Sequence, residues 1–521
     1  MNFKRNNQEN FMRKITHTAI LTIFFECMFS FVFAGHSVPV NNESTDSETV
    51  SELLNRIDEI YKIGCDDWIT ASWSTMLIKQ GIVPKEGASR AARVIMEMIE
   101  KPGPVRGSGW DYFMDTQAYF NEKLGKEVGG NLMVVRTTPP ARQTVYVRYH
   151  LLKRLCQIYD MQLALLNLAE KHKETIMPGY THERHAQPTT YAHYLMSVFD
   201  AVQRSTETLD LGYHQMSLNE MGCGALAGTS WNIDRNLVSK YLGMEGLIEN
   251  SNDAAGYTDG YLVVVCGLTN ITNILSRMAL ELTYWSGAEY GFIESGNKGT
   301  SFLMPQKSDN PNAMEIVQLT AGQMTGHLVS ISVAGLRVPQ GDSHHMLHME
   351  DPTMEALDAS ERCITLMTSE VSRLDVNKKR MYDLIKESYI ASTELANQMV
   401  RDYGLDYRTS HKIVHSFVLA SEEQSIPATN ASANLLNNAA LEIIGRKLNI
   451  NDKQLRGILN PEHFINVTNS QGGVAPEEVE RMIVERKQTL EQYREKLLKR
   501  IKVLEDGQKR MISDLNSFEN Q

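Results

Sequence analysis

The amino-acid sequence predicts an all-α protein, and two long stretches carry that prediction. Residues 142–175 and 261–287 keep apolar side chains at spacings of three and four, which places them on one face of a helix. Alternation of apolar and polar residues bounded by turns, which is typical of strands, is scarce along the chain. With 521 residues, the chain is long enough for several domains, each with its own core.

The N-terminal segment has the pattern of a secretory signal peptide. Arg13 and Lys14 precede an apolar run of about 16 residues, and the small side chains of Val32 and Ala34 fit a cleavage site. We therefore predict that residues 1–34 form a signal peptide and that the mature protein is secreted or periplasmic. The alternative is an uncleaved membrane anchor, although the run is short for a membrane span.

Charge and cysteine content argue against two classes of protein. The formal net charge of -11 is unsuited to a nucleic-acid surface, which needs clustered lysine and arginine. One of the six cysteines lies in the N-terminal segment, and the other five are far apart, without a CxxC or Cys/His cluster. We therefore expect no zinc site and no disulfide framework.

A long amphipathic helix is predicted near the C-terminus, with one apolar and one solvated face. The apolar residues follow a rhythm of three and four: Leu490, Tyr493, Leu497, Ile501, Leu504, Met511 and Leu515. Gln508 interrupts this rhythm, and Gly507 weakens the helix because glycine has a low helix propensity.

Three short segments rich in polar residues interrupt the helical pattern. The first polar segment covers residues 128–143, the second covers 177–190 and the third covers 299–315. Each lies between long helical stretches, where loops beside a bundle commonly carry functional side chains. These segments are therefore the candidates for the functional site.

The third and second segments carry a family resemblance. Residues 300–311 read TSFLMPQKSDNP, which resembles the G-S-S-x-M-P-x-K-x-N-P signature of the fumarate lyase superfamily. Residues 178–188 read PGYTHERHAQP and resemble the P-G-Y-T-H-L-Q-R-A-Q-P segment of its argininosuccinate lyase branch. Shorter matches at 70–90, 222–235, 250–259 and 472–483 extend the likeness over residues 65–490.

The resemblance implies an architecture and an assembly. It implies an all-α, three-domain fold: an N-terminal helical domain at 35–144, a central helical bundle at 145–392 and a C-terminal helical domain at 393–521. The central domains would form a homotetramer with a twenty-helix core, and the three polar segments would meet at sites shared between subunits. No metal or organic cofactor is expected, and the usual location of the family is the cytoplasm.

The resemblance also implies roles in the third segment. Family members break a C–N or C–O bond beta to a carboxylate and release fumarate, after a proton has left the carbon next to that carboxylate. Ser301 would be the base, which requires backbone N–H groups and a cation to stabilise its alkoxide. Lys307 would hold the carboxylate that gains charge, and Asn310 would be a further donor.

Second-segment roles follow from the same resemblance. Thr181 would bind a substrate carboxylate, and His182 would protonate or orient the leaving group with help from an acidic residue. Gln187 would be a substrate contact, whereas His185 replaces an arginine of the branch and has no assigned role.

The first segment departs most from the family pattern. Where H-T-G-R-S-R-N-D is expected, the chain keeps Arg136, and Thr137 replaces the serine, so both are predicted to bind substrate. Thr138 replaces the second arginine and Pro139 the asparagine, so a bidentate carboxylate clamp is lost unless Arg142 supplies it.

Two other stretches depart from the pattern. One extra residue separates Lys307 from Asn310, which changes the spacing of the signature. Residues 340–351 do not match the expected segment, and they contain His344, His345 and His348. Surface exposure is the favoured interpretation of these histidines, with a pocket lining or adventitious metal binding as alternatives.

The predicted function is elimination of an amine from an N-substituted aspartate, with release of fumarate. Argininosuccinate is the default substrate, and arginine the amine. The alternatives are another N-substituted aspartate or an aminopolycarboxylate, since the departures fall on positions that read the substrate. A non-catalytic helical scaffold and a binding protein for dicarboxylates also remain open.

Overall fold

The computed structural model describes most of the chain. The described residues are 49–100, 110–136, 140–297, 299, 301, 303–305, 310–336, 339–342 and 347–519. Side chains at 110–111, 140–143 and 347 are not described. The predicted signal peptide, Thr137, Thr138, Pro139, Lys307, His344 and His345 lie outside the described residues, and so does the side chain of Arg142.

The N-terminal helices surround one buried helix. They are α1 (Val50–Tyr61), α2 (Cys65–Lys79), α3 (Lys85–Glu100), α4 (Trp110–Leu124) and α5 (Lys126–Gly129), followed by a 3₁₀ turn at Gly130–Met133. Every residue of α2 from Trp68 to Ile78 is buried. Helix α2 is therefore enclosed by its neighbours, and its polar side chains need partners within the protein.

Long helices then form a bundle. They are α6 (Pro140–Lys171), α7 (Tyr191–Gln215), α10 (Asp259–Ser286), α11 (Asn312–Ala334) and α12 (Leu347–Arg373). Helix α6 packs on α7 and α12, and α10 packs on α7, α11 and α12. The periodicities at 142–175 and 261–287 thus became α6 and α10, because their apolar faces are buried against neighbouring helices.

Short elements join these helices at the two ends of the bundle. The elements are β1 (Ile176–Thr181), β2 (Arg184–Thr190), β3 (Leu218–Asn219), α8 (Arg235–Tyr241), β4 (Gly246–Leu247), α9 (Ser251–Ala255), β5 (Ile293–Glu294) and β6 (Asp375–Val376). The pairs β1–β2 and β5–β6 are antiparallel, and β3–β4 is parallel.

The C-terminal part has a core of its own. Its helices are α13 (Lys378–Ile385), α14 (Ser392–Tyr403), α15 (Tyr407–Glu423), a 3₁₀ turn at Ala428–Asn430, α16 (Ala433–Ile444), α17 (Asp452–Ile458) and α18 (Pro461–Val467). Buried residues between Leu395 and Leu459 form a hydrophobic cluster that is separate from the main core.

The last helix, α19 (Pro476–Glu519), is not part of that cluster and packs on α3 and α6. All seven predicted apolar positions are buried, which confirms the amphipathic helix. Gly507 has a reason beyond helix propensity, because a Cβ there would lie 2.6 Å from the Lys240 carbonyl oxygen at the end of α8. Gln508 leaves the apolar rhythm because its Nε2 donates to the Ile60 carbonyl oxygen at 3.0 Å.

Within the described residues one helix, α10, is long and apolar enough to cross a membrane. More than half of its most apolar window, 56%, is buried against the rest of the protein. Core helices of soluble proteins have the same composition, and α10 contacts three neighbours in the bundle.

The mostly helical fold expected from the sequence is confirmed. The division into domains at 35–144, 145–392 and 393–521, and the homotetramer, remain predictions.

Candidate active site

The third polar segment is closed by a backbone pair between Gly299 and Asn310. The Gly299 N–H donates to the Asn310 carbonyl at 3.3 Å, and the Asn310 N–H donates back at 3.0 Å. A Cβ on Gly299 would lie 2.5 Å from Nδ2 of Asn312, the first residue of α11. A side chain at position 299 would therefore displace the Asn312 side chain, and the backbone pair fixes both ends of the loop that contains Ser301.

Ser301 lies inside this loop and is partly buried. Its Oγ accepts the backbone N–H of Met304 at 3.1 Å. A hydrogen bond to Oγ stabilises negative charge on that oxygen, which is one requirement for an alkoxide base. The loop opens to solvent, since Leu303 is 87% exposed.

The second polar segment is a β-hairpin rather than an irregular loop. Strands β1 and β2 pair Thr181 with Arg184, so His182 and Glu183 form a two-residue turn. Their φ angles are 51° and 56°, as a type I′ turn requires. Such turns usually contain Asn-Gly, so residues 182–183 carry no hairpin signal. His182 and Thr181 are both exposed at the tip.

The side chains behind the hairpin tip are engaged. Tyr180 contacts His185 edge to face, with ring centroids 5.3 Å apart. Burial lowers the pKa of His185. Gln187 Nε2 donates to Thr393 Oγ1 at 3.1 Å, next to the first residue of α14. The predicted substrate contact Gln187 therefore ties the hairpin to the C-terminal helices.

The hairpin and the third segment lie at the same end of the bundle, which we call the hairpin end. The rings of Tyr180 and Tyr290 are 6.0 Å apart, and the Phe292 carbonyl accepts the Asn377 N–H at 2.8 Å. Strand β5 follows directly, and Gly299 comes five residues after it. Thr181, His182, Ser301 and Asn310 therefore all lie at this end of the bundle.

The first segment lies at the opposite end of α6, which we call the loop end. Helix α6 has 32 residues, which corresponds to about 48 Å at 1.5 Å per residue. Arg136 precedes this helix, and the hairpin follows it. One chain therefore does not bring the first segment to the other two.

Arg136 is held within the N-terminal helices. Its Nη1 donates to Thr70 Oγ1 at 2.6 Å, and its guanidinium lies 5.8 Å from the ring centre of Phe113. Asp66, Asp67 and Tyr112 oppose the lowering of its pKa by burial. The described contacts of this predicted substrate ligand are thus with the protein itself.

A buried acid at the loop end was missed by sequence analysis. Glu220 is 1% exposed, and its Oε1 accepts the Thr144 hydroxyl at 2.7 Å. Its Oε2 is buried and has no hydrogen-bond partner among the described residues. Burial raises the pKa of Glu220 to about 7. An acidic residue inside the apolar stretch 218–227 is the one signal that the sequence offered.

Charged and titratable groups surround Glu220 from several elements. They are Arg148 on α6, Arg235 on α8, and Tyr257 and Tyr261 at the start of α10. Both arginines are hydrogen-bonded to backbone carbonyls, including those of Leu242 and Ile248. Positive charge at this end is therefore used largely to hold loops in place.

His348, the one described member of the histidine group, is exposed at the start of α12. Its exposure agrees with the interpretation that the sequence favours, while His344 and His345 lie outside the described residues.

Comparison with known proteins agrees with the resemblance. A lyase family model matches residues 142–326, and an argininosuccinate lyase C-terminal model matches residues 389–466. The argininosuccinate lyase of Methanothrix thermoacetophila is 29% identical over 474 residues, covering 90% of this chain and 96% of the relative. That of Methanocaldococcus jannaschii is 31% identical over 442 residues, covering 82% and 90%.

A solved structure is similar over nearly the whole chain. An EDDS lyase variant with bound fumarate has a TM-score of 0.80 and 26% sequence identity, and the match covers 92% of this chain and 97% of that one. Together with the 31% identity over nearly all of a curated relative, these matches show that the chain belongs to the fumarate lyase family, with an argininosuccinate lyase C-terminal region.

Proposed function

We propose that this lyase cleaves the C–N bond of an N-substituted aspartate and releases fumarate and an amine. Argininosuccinate is the default substrate, and arginine the amine released. The names of the relatives support this substrate class, since curated relatives are argininosuccinate lyases and a similar structure holds fumarate. The observation that carries the proposal is Ser301, whose Oγ already accepts an N–H inside a closed loop.

The reaction starts with a proton on the carbon next to a carboxylate. Ser301 Oγ removes it, and the electrons move into that carboxylate, which then carries two negative charges. Lys307 and Asn310 are assigned to this carboxylate, and each such donor is worth about 3–4 kcal/mol in the transition state. The amine then leaves as the C–N bond breaks, so the substrate's own carboxylate accepts the electrons.

The hairpin serves the leaving group and a second carboxylate. His182 stands at the exposed turn, where it can give a proton to the departing nitrogen. Thr181 is assigned to a substrate carboxylate, and Gln187 is assigned as a substrate contact. Thr137, from the first segment, is assigned to the succinyl part of the substrate.

The site is proposed to form between subunits of a homotetramer. The 48 Å or so between the two ends of α6 keeps the first segment away from Ser301 in one chain. Apolar side chains are also exposed along the bundle: Leu280 and Tyr284 on α10, and Leu319, Val329 and Val333 on α11. Leu319 is 72% exposed and Val333 is 60% exposed, which favours burial in an assembly. If the purified protein sediments as a monomer and is fully active, the proposal of a site shared between subunits is wrong.

A second substrate class has specific support. The similar structure is an EDDS lyase, and the first segment of this chain lacks the second arginine of the argininosuccinate lyase pattern. The Nη1 of Arg136 already donates to Thr70 Oγ1, so this cation is engaged by the protein on that side. An aminopolycarboxylate therefore remains the second candidate substrate.

Export is proposed on the signal-like segment alone. Residues 1–34 would direct the protein to a secreted or periplasmic location, whereas a protein that keeps this segment and stays inside the cell would fit the usual cytoplasmic location. The N-terminal residue of the protein isolated from its native source decides between them.

The experiment is fumarate release, followed by ultraviolet absorbance. Mature protein is incubated with argininosuccinate, with EDDS and with other N-substituted aspartates. Ser301→Ala should lower kcat by roughly a thousandfold, because it removes the base. The matched control is Ser517→Ala, whose hydroxyl bonds the Asp514 carbonyl near the C-terminus, and it should leave kcat unchanged. Turnover that survives Ser301→Ala removes the base assignment, and no turnover of any substrate favours the scaffold or the binding protein.

A further inference from the structure

The described half of the first polar segment is fastened to the buried helix α2. The indole Nε1 of Trp73 donates to the Val134 carbonyl at 2.9 Å, and the hydroxyl of Ser74 donates to the Leu132 carbonyl at 3.1 Å. Both donors are fully buried. Buried donors that lose their acceptors are costly, so these bonds resist movement of the segment.

Backbone strain lies directly after these bonds. Val135 has a φ of 62°, a region that a β-branched side chain rarely occupies. Its neighbour Val134 has a φ of -55°, which is ordinary. Strained backbone persists where surrounding contacts impose it, and it is concentrated at functional sites.

On the other side of Val135, the side chain of Arg136 is hydrogen-bonded to α2. Its Nη1 bonds Thr70 Oγ1 at 2.6 Å, and Thr70 is 3.2 Å from the Tyr112 hydroxyl. Tyr112 in turn donates to Asp67 Oδ1 at 2.5 Å. Arg136 therefore ends a connected series of polar groups that runs from α2 through α4.

We propose that Arg136 is a positioning residue, which together with α2 holds residues 132–136 of the first polar segment in a strained, fixed conformation and does not touch the substrate. The contacts on both sides of Val135 leave the backbone one arrangement. The guanidinium acts through Thr70, and the segment reaches its place in the shared site already ordered. The effect of this arrangement on turnover rests on the proposed function, whereas its effect on folding does not.

A double-mutant cycle tests the proposal. Arg136→Lys and Thr70→Val should each raise KM, by roughly tenfold to a hundredfold, and leave kcat nearly unchanged. The KM of the double variant should be no higher than that of the more affected single variant, because both substitutions break the same hydrogen bond. Arg408→Lys on the exposed surface of α15 and Thr368→Val, whose hydroxyl bonds Ile364 within α12, are the matched controls.

A direct substrate contact gives a different pattern. Arg136→Lys would then lower kcat/KM far more than Thr70→Val, and the two effects would multiply, which overturns the proposal. If no substrate is turned over, the proposed function fails. The coupling between Arg136 and Thr70 is then measured from the unfolding free energies of the same variants. Additive losses of stability for the two substitutions would then overturn the proposal by themselves.

The strained residue provides an independent test. Val135→Gly should raise the unfolding midpoint, because glycine adopts positive φ without strain, and should raise KM a few-fold, since the segment becomes less fixed. Val134→Gly, one residue earlier at negative φ, is the control and should lower the midpoint. If Val135→Gly is destabilised as much as Val134→Gly, the backbone at Val135 is not strained.

Discussion

The two ends of the bundle differ in how they hold their polar residues. At the hairpin end, His182 and Thr181 are exposed and Ser301 accepts a single described N–H. At the loop end, Arg148 and Glu220 are buried, Arg136 is half-buried, and all three bond to the protein itself. The chain therefore keeps the family pattern where the described polar side chains are exposed or lightly bonded, and departs from it where polar groups bond and order the backbone.

The largest expected effect tests the buried character of the loop end. The pKa of Glu220 is raised from 4.5 to about 7 by burial, so its folded state binds a proton that the unfolded chain has lost. Its contribution to stability is complete below pH 4.5 and is lost as the pH rises to 7. The loss is about 3 kcal/mol of unfolding free energy at 1.36 kcal/mol per pH unit.

Glu220→Gln removes this titration without changing the shape of the side chain. The unfolding free energy of the variant, minus that of the wild type, should rise between pH 4.5 and 7 and stay constant above pH 7.5. Chemical denaturation across pH measures both curves. Parallel curves would mean that Glu220 is solvated, and the contrast between the two ends would weaken.

The second prediction concerns the hairpin end, where one glycine fixes the third segment. Gly299→Ala would place a Cβ 2.5 Å from Asn312 Nδ2, so either the Asn312 side chain at the start of α11 or the loop that carries Ser301 must shift. We expect kcat/KM to fall by roughly a hundredfold, because small displacements of catalytic groups are costly. The unfolding midpoint should hardly change, since Leu303 and Met304 of this loop are exposed.

The matched control for Gly299→Ala is Gly457→Ala, because nothing lies within 4 Å of a Cβ at that position on α17. Both variants are assayed for fumarate release and thermal unfolding. A Gly299→Ala enzyme that is as active as the Gly457→Ala enzyme would show that the Gly299–Asn310 pair does not position Ser301.

The smallest effect concerns packing beside the loop end. Gly507→Ala would bring a Cβ within 2.6 Å of the Lys240 carbonyl and 2.9 Å of the Tyr241 carbonyl. Helix α19 must then move away from α8, at a cost of about 1–3 kcal/mol in unfolding free energy. Helix propensity alone predicts the opposite sign, a gain of up to about 1 kcal/mol, so denaturant unfolding separates the two explanations.

Local patterns made much of the fold predictable from the sequence. The stripe from Leu490 to Leu515 and the periodicity of residues 142–175 identify α19 and α6, because burial of one helical face leaves a regular spacing. The hairpin was not predictable, because His182 and Glu183 are unusual residues for a turn with positive φ.

Contacts between distant residues of the chain were not predictable either. Arg136 was assigned to substrate because the family pattern keeps an arginine there, while its bond to Thr70 spans 66 residues. Gln187 reaches Thr393 across 206 residues. Spacing in one sequence does not encode such pairs, and for the same reason the burial of Glu220 was visible only in the folded chain.

The length of α6 has a consequence for how this protein changes over time. With roughly 48 Å between its ends, a replacement near Arg136 has no route to a steric clash with Ser301 in the same chain. Under the proposed function, substitutions in the first segment and in the loop of Ser301 can then accumulate without a direct contact inside one chain. A lineage can then alter the proposed succinyl contacts at one end of α6, while the proposed base at the other end is inherited unchanged.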